Sequence, residues 1–339
     1  MKVLYIMGSR HVEVREVPKP QAERGQAVVK MKVSAICSSD LHSYRRVFGP
    51  GQEFVCGHEP CGVIDSLGEG VTHLSVGQRV ALYHYQGCGI CKFCVSGLMQ
   101  HCEKRAGFGS VPLPGGDAEF MLINAINATP LPDELSFIDG AFVACIAATT
   151  YRSLSKLSLS PQKSLCIFGL GPVGLTAVKI AKAMGAGQII GIDPNQARRD
   201  MAAGIGADAV LDSNEDTVRE IKKLTGGGAN GSLETSGSML AQRNAIECAT
   251  HFGEIAVVGL TGLYDTNGAV NLSRLINNEI TIYGSFVISL SQFHDLLDLI
   301  RRSKIHFDDL VTHRFPLDKA AEAFELFDKG GTGKVIFEF

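Results

Sequence analysis

The stretch Ser164-Leu165-Cys166-Ile167-Phe168-Gly169-Leu170-Gly171-Pro172-Val173-Gly174 decides the fold class. An apolar run typical of a buried strand leads directly into G-x-G-x-x-G, and a helical pattern follows over residues 172–184. In that context Gly169 permits a tight turn, Gly171 lets the backbone approach a pyrophosphate, and Gly174 allows close packing of helix on strand. Pro172 and Val173 begin the helix, whose free N–H groups would face the phosphates. The sequence therefore predicts a dinucleotide-binding turn.

An acidic residue supports this interpretation. Asp193 ends the next apolar run, about 20 residues beyond the glycines, where a dinucleotide-binding domain places its ribose-binding acid. A carboxylate at this point accepts hydrogen bonds from the ribose hydroxyls and repels a 2′-phosphate, so NAD is favoured over NADP. Arg198 is a second candidate cofactor contact. Arg198 and Arg199 together would weaken the preference for NAD over NADP; alternatively, both are solvated charges on a helix.

The 339 residues are about twice a typical domain, so we expect two domains. Residues 151–286 alternate between strand and helix patterns, including a helix over 241–250 and a strand over 254–259. This alternation predicts a doubly wound parallel-sheet α/β domain that binds a dinucleotide. Residues 1–150 contain short strand patterns separated by glycine and proline, and together with residues 287–339 they are expected to form a β-rich domain.

The cysteines indicate metal binding. The chain has 10 cysteines, and four of them form C-x2-C-x2-C-x7-C: Cys88, Cys91, Cys94 and Cys102. Four thiolates at this spacing are typical of a closed, structural zinc site. An iron–sulfur cluster also takes four cysteines, but the ferredoxin spacing that begins in this way continues with a close fourth cysteine followed by proline. Zinc is therefore favoured.

Composition excludes other classes of function. The 32 basic residues are balanced by 35 acidic ones, and the net charge of −3 offers no patch for nucleic acid or an anionic membrane. No apolar run approaches the roughly 20 residues that span a bilayer. Residues 1–14 alternate like a strand and lack the features of a signal peptide. We therefore expect a cytoplasmic protein that has no nucleic-acid or membrane partner.

Three further segments complete a family pattern. They are Cys37-Ser38-Ser39-Asp40-Leu41-His42, Gly57-His58-Glu59-Pro60-Cys61-Gly62 and Gly333-Lys334-Val335-Ile336. These segments, the four-cysteine segment and the glycine turn follow one another along the chain in the order typical of one family. By this pattern the chain resembles the zinc-containing medium-chain dehydrogenases. That family includes alcohol, polyol and threonine dehydrogenases. The resemblance covers essentially the whole chain and implies that the β-rich domain is GroES-like and catalytic and carries the structural zinc lobe.

The resemblance implies a second zinc site with an open coordination position. Its ligands would be Cys37, His58 and Cys145, and the two sites together imply two zinc ions per chain. Residues 144–151 contain no Glu, which argues against the branch of the family that uses Glu as the third ligand. Three protein ligands leave a position for water or substrate, as in a catalytic zinc site. Glu59 would lie beside the metal, as an exchangeable ligand or as a group that supports the ligands.

The same resemblance implies a proton relay. Ser39 matches the hydroxyl that contacts the substrate oxygen, and His42 matches the outer histidine of the relay, although it could also be a surface histidine. Asp40 matches the carboxylate that orients the imidazole ligand. The implied reaction is hydride transfer between a small alcohol and NAD, which gives a ketone or aldehyde.

The substrate pocket is the least predictable part of the site. Tyr83 and His84 match positions where relatives place residues that face the substrate, and Tyr44, Arg45 and Phe48 could add to one wall. This polar mixture favours a secondary alcohol or polyol. A threonine- or sugar-alcohol-specific dehydrogenase and a catalytically silent nucleotide-binding relative are the alternatives. By analogy with relatives of this size we expect a homotetramer, with pairing through residues 279–286.

Overall fold

The chain divides into two units in a computed structural model, which describes residues 1–49, 51–259 and 271–339. The β-rich unit comprises Met1–Ala148 and Ile288–Phe339, and the α/β unit comprises Thr149–Val287. The C-terminal segment thus returns to the unit in which the chain begins.

The described elements are numbered in chain order. The strands are β1 (Lys2–Gly8), β2 (His11–Glu16), β3 (Gln26–Ala35), β4 (Phe54–Val55), β5 (Pro60–Leu67), β6 (Arg79–Leu82), β7 (Tyr85–Gln86), β8 (Ala106–Gly107), β9 (Phe120–Asn124), β10 (Ala128–Pro130), β11 (Leu165–Phe168), β12 (Ile189–Ile192), β13 (Ala209–Leu211), β14 (Ala229–Glu234), β15 (Ala249–Val257), β16 (Thr281–Gly284), β17 (Val311–Phe315) and β18 (Lys334–Glu338). The helices are α1 (Asp40–Arg45), α2 (Lys92–Val95), α3 (Phe137–Ala144), α4 (Ile146–Leu154), α5 (Pro172–Ala183), α6 (Gln196–Gly204), α7 (Thr217–Leu224), α8 (Met239–Glu247), α9 (Leu272–Asn278), α10 (Leu290–Arg302) and α11 (Ala320–Lys329).

The β-rich unit is organised around the long strand β3. Its main sheet has the order β10-β6-β5-β3-β18-β17, and β9 also pairs with β3. The last strand of the chain, β18, runs antiparallel to β3, with Ile336 opposite Ala35. Buried apolar side chains such as Val29 and Phe337 fill cores on this sheet. These pairings place the last residues of β3 beside the first residues of β5 and beside β18.

The α/β unit contains a six-stranded sheet in the order β13-β12-β11-β14-β15-β16. All five pairings are parallel, as expected when helices connect the strands. β11 is buried along its whole length because it lies at the centre of the sheet. The chain order reverses between β11 and β14, and ligands of such sheets bind outside the carboxyl ends of the strands at this point.

One predicted boundary in this sheet is wrong. The helix predicted over 241–250 ends at Glu247 as α8, and β15 then begins at Ala249 rather than at 254. Ala249 pairs with Ala229 of β14, so backbone hydrogen bonding to the neighbouring strand overrides the helical pattern of side chains. In the part of the chain that the structure describes, no helix is long and apolar enough to cross a membrane.

Candidate active site

The four-cysteine segment closes into a compact cluster. The Sγ atoms of Cys88, Cys91, Cys94 and Cys102 all lie within 4.8 Å of one another. Two of these separations are 3.6 Å (Cys91 to Cys94) and 4.0 Å (Cys88 to Cys94). A tetrahedral zinc with Zn–S bonds of about 2.3 Å would place its sulfur atoms about 3.8 Å apart. The donor set and its spacing therefore fit a closed zinc site.

Backbone hydrogen bonds favour the thiolate form of one member of this cluster, Cys88. Hydrogen bonds from the backbone of Ile90 and Cys91 lower the pKa of Cys88 to about 6. The thiolate is the form that binds metal, so the loop favours the ligand state of Cys88. Cys91 caps α2, and the turn of α2 brings Cys94 back towards it.

A second cluster forms from residues that are distant in sequence. One ligand atom each from Cys37, His58, Glu59 and Cys145 lies within 4.8 Å of the others. Cys37 follows β3, His58 precedes β5, and Cys145 ends α3. This set of two sulfurs and one imidazole, with a carboxylate beside them, is of the kind that holds a catalytic zinc with an open position.

The imidazole of His58 is oriented by Asp40. Its Nδ1 lies 3.1 Å from Asp40 Oδ1, and the other oxygen, Oδ2, accepts the backbone N–H of Cys37 at 2.8 Å. Nδ1 therefore carries the proton, and Nε2 has its lone pair for a metal. Ser39 Oγ lies 3.4 Å from the same Nε2. Asp40 thus ties the backbone of one candidate ligand to the ring of another.

The two candidate sulfur ligands interact directly. A hydrogen bond from Cys145 lowers the pKa of Cys37 well below its ordinary value, and the same bond raises the pKa of Cys145. The pair therefore shares one negative charge, whereas a bound cation would stabilise both thiolates.

Glu59 is buried beside this cluster. Its Oε2 lies 2.7 Å from Nζ of Lys334, and both side chains are almost completely shielded from solvent. Burial raises the pKa of Glu59 to about 8, although the Lys334 ammonium acts in the opposite direction. Neither oxygen of Glu59 has a partner with hydrogen-bond geometry among the described residues. The sequence identifies Lys334 only as part of the closing motif, and its contact with Glu59 depends on the fold.

His42 lies one turn after Ser39, on the exposed side of α1. In the described ranges its ring has no hydrogen-bond partner. A relay role for His42 therefore remains a prediction, and the structure places the ring where it can exchange protons with solvent.

The glycine turn has the backbone that its motif predicts. Gly169 has φ of +90°, Gly171 caps α5, and Pro172 is in the first turn of that helix. A Cβ on Gly174 would overlap the carbonyl oxygen of Gly169. Because Thr235, at the end of β14, also donates to the Gly169 carbonyl at 2.8 Å, the turn is fixed at the point where the strand order reverses.

Asp193 lies next to this turn. Its carboxylate is 3% exposed and accepts the backbone N–H groups of Leu170 at 2.7 Å and Asn195 at 2.8 Å. Arg198 Nη1 lies 3.8 Å from the same carboxylate. Arg199 is not a freely solvated charge, since its Nη1 donates to the Asp193 carbonyl. The glycine turn therefore positions the Asp193 carboxylate, and the Arg198 guanidinium lies beside it.

The expected polar wall of the pocket is not formed as predicted. Tyr83 is fully buried and donates to the carbonyl of Ile288 at 2.9 Å. Tyr44 packs on Phe324, with the ring centroids 5.2 Å apart. Arg45 pairs with Asp328 and Phe48 packs on Phe54. These side chains point into the core or to other partners, because a match to a position in relatives does not identify the neighbours that a side chain meets in this fold.

His84 is the member of that group that lies beside the second cluster. Its ring centroid is 5.5 Å from that of His58, and its Nδ1 donates to the Ala144 carbonyl at 2.6 Å. Burial lowers the pKa of His84 to about 3, so the ring is neutral at physiological pH.

Comparisons with known proteins agree with this geometry. The family model of the alcohol dehydrogenase GroES-like domain matches residues 23–133, and that of zinc-binding dehydrogenases matches residues 172–302. The uncharacterized zinc-type alcohol dehydrogenase-like protein YphC of Escherichia coli strain K12 is 35% identical over 356 residues, covering 100% of this chain and 99% of that protein. The chain belongs to the zinc-containing medium-chain alcohol dehydrogenase family.

Other members of the family are similar over their whole length. Sorbitol dehydrogenase of Halalkalibacterium halodurans is 31% identical over 333 residues, covering 97% of this chain and 96% of that protein. The structure of alcohol dehydrogenase TADH from Thermus sp. ATN1 has a TM-score of 0.92 at 28% identity, covering 100% of this chain and 99% of that chain. The prediction of a GroES-like domain with a doubly wound α/β domain is therefore confirmed. The chain is a zinc-type oxidoreductase of alcohols or polyols that uses a nicotinamide cofactor.

Proposed function

We propose that this dehydrogenase oxidises a secondary alcohol or polyol with NAD at a zinc held by Cys37, His58 and Cys145. The observation that carries the proposal is the convergence of these three ligand atoms, with His58 oriented by Asp40. When bound, zinc supplies Lewis acidity to the alcohol oxygen, and NAD supplies the hydride acceptor.

The side chains around this cluster suggest how the proton leaves. Because Ser39 Oγ lies 3.4 Å from His58 Nε2, a hydroxyl at the open position would be within its reach, and Ser39 would accept that proton while releasing its own towards His42. His42, exposed on the helix that follows, would pass the proton to solvent. Asp40 keeps His58 in the tautomer that leaves Nε2 unprotonated. Glu59, held against Lys334, provides a buried carboxylate beside the ligands.

The second zinc would be structural. Cys88, Cys91, Cys94 and Cys102 fill all four positions of a tetrahedral site, so no position remains for substrate. Its role would be to fix the loop between β7 and β8, which contains only short helical turns.

The α/β unit would bind NAD through Gly169, Gly171, Pro172, Val173 and Gly174. Asp193 would accept the adenosine ribose hydroxyls and disfavour a 2′-phosphate. Arg198 would lie beside the ribose, and its charge moderates the preference for NAD over NADP.

The substrate class depends on a pocket of which His84 is the best placed polar member. A neutral imidazole next to His58 is compatible with a hydroxylated substrate. Threonine- and sugar-alcohol-specific activity stay as alternatives within the same chemistry. A catalytically silent nucleotide-binding protein is disfavoured because the ligand atoms converge.

The remaining proposals concern the setting of the enzyme. We propose a cytoplasmic homotetramer in which two copies pair along β16. This strand is the last in the described α/β sheet, and its Ile282 side chain is 39% exposed. Light scattering of the purified protein tests the oligomeric state, and an Ile282→Lys variant tests the pairing edge.

The activity is tested with zinc analysis and a panel of alcohols, polyols and L-threonine, each assayed with NAD. We expect two zinc ions per chain and the highest kcat/KM on a secondary alcohol or polyol. Cys145→Ala is expected to retain one zinc and to lose turnover while NAD binding persists. Turnover by Cys145→Ala at the wild-type rate would contradict the assigned ligand set.

A further inference from the structure

A buried acid outside both metal clusters has no role in the chemistry described above. Asp117 has no exposed surface, and both of its carboxyl oxygens accept hydrogen bonds. Oδ1 accepts from Ser34 Oγ at 2.5 Å, and Oδ2 accepts from Cys56 Sγ at 3.2 Å. A carboxyl group is costly to bury, so its two partners need an explanation.

The two partners lie just before two candidate zinc ligands. Ser34 is in β3, three residues before Cys37, and Cys56 is two residues before His58. These segments are separate in sequence, and the Asp117 carboxyl bridges them. One side chain therefore ties together the chain segments that deliver a sulfur ligand and the imidazole ligand.

Backbone hydrogen bonds also connect Asp117 to the segment that leads to His58. The N–H of Asp117 donates to the Cys56 carbonyl at 3.0 Å, and that of Gly116 donates to the Gly57 carbonyl at 2.8 Å. Gly57 has φ of +97°, and a Cβ on it would overlap the Asp117 carboxyl. The carboxyl thus packs directly on the residue that precedes His58.

We propose that Asp117 is a positioning residue that holds Cys37 and His58 at the separation the open zinc site requires. The inference rests on the proposed zinc site, and Asp117 acts through Ser34 and Cys56 without contacting the metal. Groups that hydrogen-bond directly to metal ligands typically contribute about 10- to 100-fold to metal affinity, so the less direct tie through Asp117 should contribute up to about 10-fold. The four-cysteine site has no connection to Asp117 through these hydrogen bonds, so its zinc should be unaffected.

The two zinc ions of one chain provide an internal control. The full-length, zinc-loaded protein is mixed with a chromogenic chelator, and the rates at which the two zinc ions are released are measured. Cys145→Ala identifies the signal of the open site, because that variant should lack it. Asp117→Leu removes both acceptors with an apolar side chain that is larger than that of Asp, so the smaller Ser34→Ala and Cys56→Ala variants accompany it. We expect Asp117→Leu to release the open-site zinc up to about 10-fold faster than the wild type, with the other rate unchanged.

Conservative and single-tie variants separate positioning from general stability. Asp117→Asn keeps an acceptor for Ser34 and places an amide against Cys56, so we expect release rates like those of the wild type. Ser34→Ala and Cys56→Ala each remove one tie and should give intermediate acceleration, which keeps the test usable if Asp117→Leu does not fold. Leu310→Ala, a buried truncation in the same unit, is the control for destabilisation and should not favour release from the open site.

Two results would count against the inference, and a third would count against the proposed function. Release of both zinc ions accelerated equally in Asp117→Leu would show a purely structural role. Unchanged release in Asp117→Leu, Ser34→Ala and Cys56→Ala would show no role at the zinc site. A wild-type chain that binds only the four-cysteine zinc would instead overturn the proposed function on which the inference rests.

Discussion

Replacing Asp40 with Asn tests how strongly the zinc site depends on its supporting carboxylate. Asp40 Oδ1 lies 3.1 Å from His58 Nδ1, and Oδ2 accepts the N–H of Cys37 at 2.8 Å. An Asn side chain keeps one acceptor oxygen but turns an NH2 group towards the other donor. One hydrogen bond to a charged group is therefore lost. At that position the NH2 group of Asn faces either His58 Nδ1 or the Cys37 N–H, each of which is also a donor.

The magnitude follows from this loss. A hydrogen bond to a charged group contributes about 1.5–3 kcal/mol, and about 1.4 kcal/mol corresponds to a tenfold change in an equilibrium constant. We therefore expect open-site zinc affinity to fall by about 10- to 100-fold in Asp40→Asn, in line with substitutions of other ligand-supporting carboxylates. The value of kcat/KM should fall in parallel when free zinc is buffered.

Competition with a chelator of known affinity measures the zinc affinity of the open site. Asp65→Asn is the matched control, because Asp65 belongs to the same unit and pairs with Lys19 at 2.7 Å, away from the ligand cluster. That variant should bind zinc like the wild type. If Asp40→Asn also bound zinc with wild-type affinity, the orienting role of Asp40 would be refuted.

Three other predictions concern the cofactor, the relay and pH. Asp193→Ala should shift the ratio of kcat/KM values towards NADP, measured with both cofactors; an unchanged ratio would remove Asp193 from cofactor discrimination. His42→Ala should slow alcohol oxidation most at the acid end of its pH profile, and a uniform decrease would contradict the relay. Burial raises the pKa of Asp117 to about 7, above the unfolded value of about 3.9, so the folded chain retains a proton that the unfolded chain releases. As the pH rises between these values, the wild type should lose about 1.4 kcal/mol of unfolding free energy per pH unit relative to Asp117→Asn. Denaturant titrations from pH 5 to 7 measure this difference. Parallel pH profiles of the two proteins would refute it.

Local spacing was sufficient to predict two parts of the molecule. The glycine turn is encoded within eleven consecutive residues, and the four clustered cysteines lie within one loop. In both cases the residues that act together are neighbours in sequence, so their chemistry is visible before the fold is known.

The rest depends on contacts between distant segments. Cys37, His58 and Cys145 were identified from a family resemblance, because no periodic pattern connects them. Neither the Lys334–Glu59 ion pair nor the Asp117 bridge was predicted, since an isolated Lys or Asp is usually on the surface. Tyr83 and Tyr44 were expected at the pocket from the family resemblance, but both are buried, since tertiary packing decides which neighbours a side chain meets.

Anomalous diffraction at the zinc edge, from a crystal of the protein purified without added chelator, tests the central claim most directly. Two peaks per chain are predicted: one enclosed by Cys88, Cys91, Cys94 and Cys102, and one within about 2.0–2.3 Å of the Cys37 and Cys145 sulfurs and His58 Nε2. A fully loaded lobe with no peak bonded to Cys37, His58 and Cys145 would contradict the proposed active site.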